Sequence, residues 1–398
     1  MQARAQAPAG LPTQQQPRVQ CWGQAPCGSS RSGRADPALR RQGGVSLVEV
    51  LIALVLGLLL IGAVSTAYLA NHQTFRQVEN LARVNENART TFELLGRELR
   101  EAGGTHCGAR LPTANVVRTG PTSPWWTDWD QGLRGFDGHE ALPARAFGTG
   151  TADRVAGTDA VVIWSGSTLP AVAIVPRGQN ATQGQPNQQD ATLHVHTNDH
   201  GLNDGHIVVA CDLRQAAIFQ VANASPGINS TIVHHASQGQ QILPSNCRKE
   251  LGLWGAAPHD CSNPNGNEPH NFDQGGFLSR LSVSAWYIGH NGRGGTSLYR
   301  AVLTTQATGS GASSVRIAST SPEEVIENLS NLQLQYLEPN AAGALPAAYV
   351  DAKQVGDWSR VLAVRLAPTY VTAERVGTDG KPIERTLPFL VGIRTRLP

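Results

Sequence analysis

The chain has 398 residues, 32 Lys and Arg against 30 Asp and Glu, a formal net charge of +2, and 42 Gly with 24 Pro. A charge this balanced gives no bulk field for nucleic acid and none to steer an acidic substrate. No GxxxxGK[ST] loop, HExxH or GxSxG occurs, so ATP hydrolysis and the peptidase and hydrolase chemistries that use those motifs have no basis here. Residues 1–44, rich in Gln, Ala, Pro and Arg and holding Cys21 and Cys27, offer too little apolar surface for a core and are expected to be a disordered leader.

From Val45 to Ala70 the sequence is apolar apart from one carboxylate, Glu49. About 20 such residues suffice to span a bilayer as a helix. A carboxylate deep in lipid would cost on the order of 2.5 kcal/mol, so Glu49 calls for a partner. A secretory signal would have a shorter apolar core with a small-residue cleavage site behind it. Here the core is long, a basic pair and a glycine pair precede it, and a continuing helix follows.

This RRQGGVSLVEV arrangement resembles the prepilin leader of type IV pilins and type II secretion pseudopilins, with Val45 standing where phenylalanine is usual. The resemblance implies a prepilin peptidase that cuts after Gly44 and methylates the new terminus at Val45, which puts Glu49 at the fifth mature position. Its carboxylate would then neutralise the terminal ammonium of Val45 or of a neighbouring subunit, setting the axial register of assembly.

Residues 71–104 continue the helix with a different pattern. Val78, Leu81, Asn85, Ala88, Phe92, Leu95, Leu99 and Ala102 recur at spacings of three and four, with Arg83, Glu86, Arg89, Glu93, Arg97, Glu98 and Arg100 between them. This predicts an amphipathic helix with those charges solvated. No proline interrupts Val45–Ala102, and Gly103 and Gly104 supply the stop. At about 1.5 Å per residue that helix would be about 87 Å long. Gly57 and Gly62 within the apolar half either permit bending or close packing, or are neutral in lipid.

Residues 105–398 switch to short β-prone runs between Gly, Pro, Asn and Asp clusters, so the fold class is α+β, a long N-terminal helix packed on a mainly antiparallel β head large enough to bury its own core. Strands are expected at 160–164, 171–175, 207–210, 217–221, 281–288, 297–303, 332–336, 361–366 and 386–391. Loops are expected at 178–190, 258–276 and 307–314. Cys107, Cys211, Cys247 and Cys261 would remain in the mature chain, and an even count in a periplasmic, oxidising compartment favours disulfides in any of three pairings.

Three further clusters carry possible chemistry. Trp125, Trp126 and Trp129 form an aromatic group suited either to an interface or to a core. His194 and His196 would share one strand face near His200, His206, Asp199 and Asp204, a weak metal geometry against the plainer reading of solvated histidines. Asn265, Asn267, Glu268 and Asp273 offer oxygen ligands for calcium without a DxDxDG pattern.

ELREAGGTHC (98–107), ACDLRQAAIFQVA (210–222), IENLSNLQLQYLEP (326–339) and DWSRVLAVRLAP (357–368) resemble segments of PilW-like minor pilins. That resemblance implies a non-catalytic subunit without cofactor that primes type IV pilus assembly, sits at the fibre tip and contacts other minor pilins, the major pilin and the inner-membrane assembly platform. It would be held in the inner membrane with a periplasmic head before joining the fibre. A type II secretion minor pseudopilin and a tip adhesin are the alternatives.

Overall fold

The computed structural model describes residues 44–109, 111–118, 125–127, 129, 132–166, 168–176, 191–236, 242–253, 269–272, 275–308 and 315–397. The expected leader before Gly44, the 178–190 loop, Cys261 and the four candidate calcium ligands lie outside the described residues. So do 258–268 and 309–314 of the other expected loops. Two compact units emerge, Met1–Ser65 and Thr66–Pro398.

Helix α1 runs Leu47–Arg100, within two residues of expectation at each end. In the first unit its side chains are exposed, and by length and composition it is a helix able to cross a membrane. In the second unit the buried face differs from the expected stripe. Val78, Asn85 and Phe92 are exposed, whereas Asn80, Val84, Thr91, Leu95, Glu98 and Leu99 are buried. The polar members of this face have partners that an apolar-spacing rule cannot see. Asn80 Oδ1 accepts from Glu374 N at 3.3 Å, and Thr91 Oγ1 donates back to Asn87 O at 2.8 Å. The solvent side holds the i,i+4 pairs Glu79–Arg83 and Arg89–Glu93.

Among the described residues the strands form five sheets. A six-stranded sheet orders Ile242–Leu243, Val315–Glu327, Thr296–Thr308, Ser282–His290, Ala160–Ser165 and Leu133–Phe136. A five-stranded sheet orders Thr113–Asn115, Ala216–Gln220, Ile207–Cys211, Phe277–Arg280 and Ala171–Ala173. A third sheet centres on Ala363–Val371, flanked by Leu329–Leu337 on one side and by Glu384–Thr386 and Phe389–Gly392 on the other. Thr192–His194, Thr231–Val233 and Asn223–Ala224 make a small fourth sheet, and Gly104–Thr105 with Gly108–Ala109 a two-stranded ribbon. Pairing is antiparallel except where Ile242–Leu243 meets Val315–Glu327 and Thr113–Asn115 meets Ala216–Gln220.

Alternation of side chains across the strands builds three stacked cores. Val161, Ile163, Trp286 and Ile288 point to one face of the six-stranded sheet and pack with Leu95 and Leu99 of α1 and with Leu334, Val364 and Leu366. Val162, Trp164, Ala285 and Tyr287 point to the other face and meet Val209 and Ile218 of the five-stranded sheet. Val208, Ala210 and Phe219 then face the small sheet through Leu193 and Ile232. The strand Ala160–Ser165, next to the Leu133–Phe136 edge, is therefore buried on both faces.

All nine expected strand regions contain strand, with 386–391 interrupted at Leu387 and Pro388. The expected loop at 307–314 begins too early, since Ala307 and Thr308 complete a strand. The unexpected Val315–Glu327 strand holds Pro322, which is tolerated because this is the outer strand of its hairpin, paired beyond Ile317 only with Thr296–Thr308. Just past α1 the chain is tied in at once: Gly103 N donates to Trp164 O and Gly166 N to Gly104 O, each at 2.8 Å.

Candidate processing and assembly site

Gly44, Val45 and Ser46 are non-helical and exposed, and the helix begins at the next residue. Val50 N donates to Ser46 O at 3.2 Å, which makes Ser46 the residue that opens the helix. Glu49 then stands three residues on, the S-x-x-E spacing of a capping box, and in the first turn its negative charge opposes the positive end of the helix dipole. A Cβ built on Gly44 meets nothing within 4 Å, and Val45 is 69% exposed. The Gly44–Val45 peptide is thus an exposed, non-helical segment directly before an apolar helix. Among the described residues the Glu49 carboxylate makes no ion pair. It is the one charged side chain in an exposed apolar surface that runs from Val45 to Leu69.

The other candidate residues fall elsewhere. Trp126 is buried in the second core, with Trp125 and Trp129 half-buried against it. Trp164 Nε1 donates to Trp126 O at 3.2 Å, and the Trp125 and Trp164 rings meet edge-on at 6.3 Å. His194 is half-buried on its strand and His196 exposed beyond it. His200 Nδ1 accepts from Leu202 N, His206 Nδ1 from Asn203 N and Asp204 Oδ1 from Ala224 N, so these side chains lock turns. Among the described residues no three His, Cys, Asp or Glu side chains converge as metal ligands. Cys107 is bonded to Cys211 across a sequence separation of 104, and Cys247 is also in a disulfide.

Three polar centres escaped sequence reading. Glu98, expected to be solvated, is buried because the sheet under α1 supplies partners. Its Oε1 pairs with Arg300 Nη2 at 2.6 Å, and its Oε2 accepts from Ser284 Oγ at 2.6 Å and Trp286 Nε1 at 2.7 Å. Asp212, fully buried, accepts from Arg214 N at 2.7 Å and Gln215 N at 3.0 Å and lies 2.7 Å from His270 Nε2. The D-L-R-Q turn between two apolar runs was the available signal for that centre. Gln220 and Asn246 exchange backbone and side-chain bonds at 2.7 Å inside the protein. Burial also pushes Asp159 up to about 6, even though Leu334 N donates to its carboxylate.

Residues 39–65 match the prokaryotic N-terminal methylation motif. The match takes in Gly44, Val45 and Glu49 and supports a type IV pilin-like protein. The motif implies processing by a prepilin peptidase, and with the apolar helix it fits an inner-membrane-anchored pilin. The long helix with mainly antiparallel sheets is an α+β layout consistent with a pilin-like fold. Proteins with this motif are generally structural rather than catalytic. No curated protein and no solved structure matches the chain.

Proposed function

We propose that this pilin-like chain is a PilW-like minor pilin that primes type IV pilus assembly at the fibre tip together with other minor pilins. One observation carries the reading: an exposed Gly44–Val45 bond followed, at the fifth position past the expected cut, by a carboxylate with no ion-pair partner among the described residues, at the start of a helix whose large apolar side chains are exposed from Leu47 to Leu69. In the membrane that carboxylate attracts the ammonium of Val45, its own or a neighbour's, and the pairing draws subunits into one axial register. The head then supplies lateral contacts and ATPases elsewhere supply the work.

Intact mass and amino-terminal sequencing of membrane-extracted protein, from cells with and without the prepilin peptidase, test the first half. A chain starting at N-methylated Val45 only when the peptidase is present supports the reading; a retained leader or a cut beyond Ala70 overturns it. Glu49→Val tests the register, with normal processing and loss from fibres expected. Deletion of the chain separates the roles: loss of pili with intact enzyme export supports the minor pilin, and the reverse assigns a secretion pseudopilin.

A further inference from the structure

Among the described residues several sheet edges are blunted, and one stretch of edge is bare. The Val315–Glu327 strand carries Pro322, Glu323, Glu324 and Glu327 along its outer side. The Glu384–Thr386 and Phe389–Gly392 edge is broken at Pro388 and charged at Glu384 and Arg385. The Leu133–Phe136 edge strand is only 4 residues long and carries Arg134. These are the usual devices against strand addition.

Thr296–Thr308 is different in its second half. Its pairing with Ser282–His290 stops at Ser284 opposite Val302, because the chain there crosses into the five-stranded sheet, where Leu281 N donates to Ile207 O at 2.9 Å. From Leu303 to Thr308 the strand pairs, among the described residues, only with Val315–Thr320. Its other edge, LTTQAT, carries no charge and no proline, and Thr304, Thr305 and Thr308 are β-branched. Nor is it a loose flap. Leu303 packs against the second core, Thr305 Oγ1 donates to Gly205 O at 3.2 Å, and the neighbouring strand is fastened at Arg316 and Ile317 by Ile242 and Leu243. Six residues make an edge of about 20 Å held in strand geometry before any partner arrives.

We infer that Leu303–Thr308 is a strand-addition surface, and that its occupant is the same segment of a second copy of this chain, paired antiparallel about a two-fold axis. An edge of unpaired N–H and C=O groups is satisfied only by another backbone. An edge without charge favours an uncharged strand, and this segment meets that condition itself. Antiparallel self-pairing uses the same residues on both sides, as a two-fold interface must. With the axis perpendicular to the sheet, both copies keep their core on the same side. The inference stands apart from leader processing, since cleaved and uncleaved chains carry the same edge.

The test uses the full-length protein in detergent, by sedimentation velocity and by oxidative cross-linking of single cysteines placed at Thr304, Thr305 and Gln306. A dimer is expected, with cross-linking strong at the one position on the two-fold axis and weak at its neighbours. Gln306 is exposed, so Gln306→Lys leaves the fold intact while placing like charges across the seam, and loss of the dimer is expected. A wild-type monomer overturns the inference. So does a dimer that survives Gln306→Lys with cross-linking equal at all three positions, which would place association elsewhere in the molecule.

Discussion

Replacing Glu98 by alanine tests how α1 is fixed to the head. The carboxylate is 6% exposed and satisfies Ser284 Oγ and Trp286 Nε1, both themselves buried, while pairing with Arg300. Truncation leaves two donors and one cation short of an acceptor. Breaking a buried pair costs about 3–5 kcal/mol, and each stranded buried donor about 1–3 kcal/mol within that total. Arg300 is 27% exposed at the side chain and keeps Glu323 at 3.4 Å, which moves the estimate to the low end, about 3 kcal/mol. With an m-value of about 3 kcal/mol/M in urea, the unfolding midpoint should fall by about 1 M. Tryptophan fluorescence is a suitable readout because Trp286 belongs to the centre. Arg394→Ala, which removes the exposed partner of Glu101, is the control and should cost under about 1 kcal/mol. A Glu98→Ala shift no larger than that control would refute the reasoning, since the carboxylate would then act as though it were in solvent.

Further outcomes follow from single features. Asp159 titrates at about 6 in the folded chain against about 3.9 unfolded, so between those values the folded state holds the extra proton and stability falls as pH rises from about 4 to about 6. Asp159→Asn should remove that slope, gaining on wild type across the window in urea midpoints; parallel profiles would show that the carboxyl is not desolvated. Tyr336 is fully buried and its hydroxyl has no partner among the described residues, so Tyr336→Phe should be neutral or stabilising by up to about 1 kcal/mol in thermal melts. A Cβ at Gly135 would lie 2.1 Å from that hydroxyl, so Gly135→Ala should destabilise by about 3 kcal/mol or more. Cys211→Ser opens the loop closed with Cys107 and should cost about 2–5 kcal/mol, checked by denaturation with and without reductant.

The elements that sequence reveals best are those whose signal is local. The apolar run, the acid within it and the glycine stop located α1 to within two residues, and β-prone runs such as Ala160–Ser165 marked the sheets. The motif at 39–65 was legible because its residues are contiguous. Long-range polar partners were not: Glu98 meets Ser284 and Trp286 from 186 and 188 residues away, and nothing near position 98 announces them. The same limit explains the misread helix face, where Asn80 is buried by Glu374, 294 residues on. Val315–Glu327 escaped because Pro and Glu, read locally, argue against strand, whereas on an outer strand they are permitted. The tryptophan trio could not be placed by sequence, because an aromatic cluster reads alike whether it is covered or bare.

The tie between the end of α1 and the sheet also decides how the head bears a load. A pull along the Thr66–Arg100 stretch meets the side contacts of the helix in shear. At its end the chain is pinned by Gly103 to Trp164 and by Gly104 to Gly166. Should those hydrogen bonds part, peeling can advance only as far as Cys107, where the covalent link to Cys211 passes the tension to the five-stranded sheet. The slack available is a few residues, so the head would yield by a short step and then hold, like a seam stopped by a rivet.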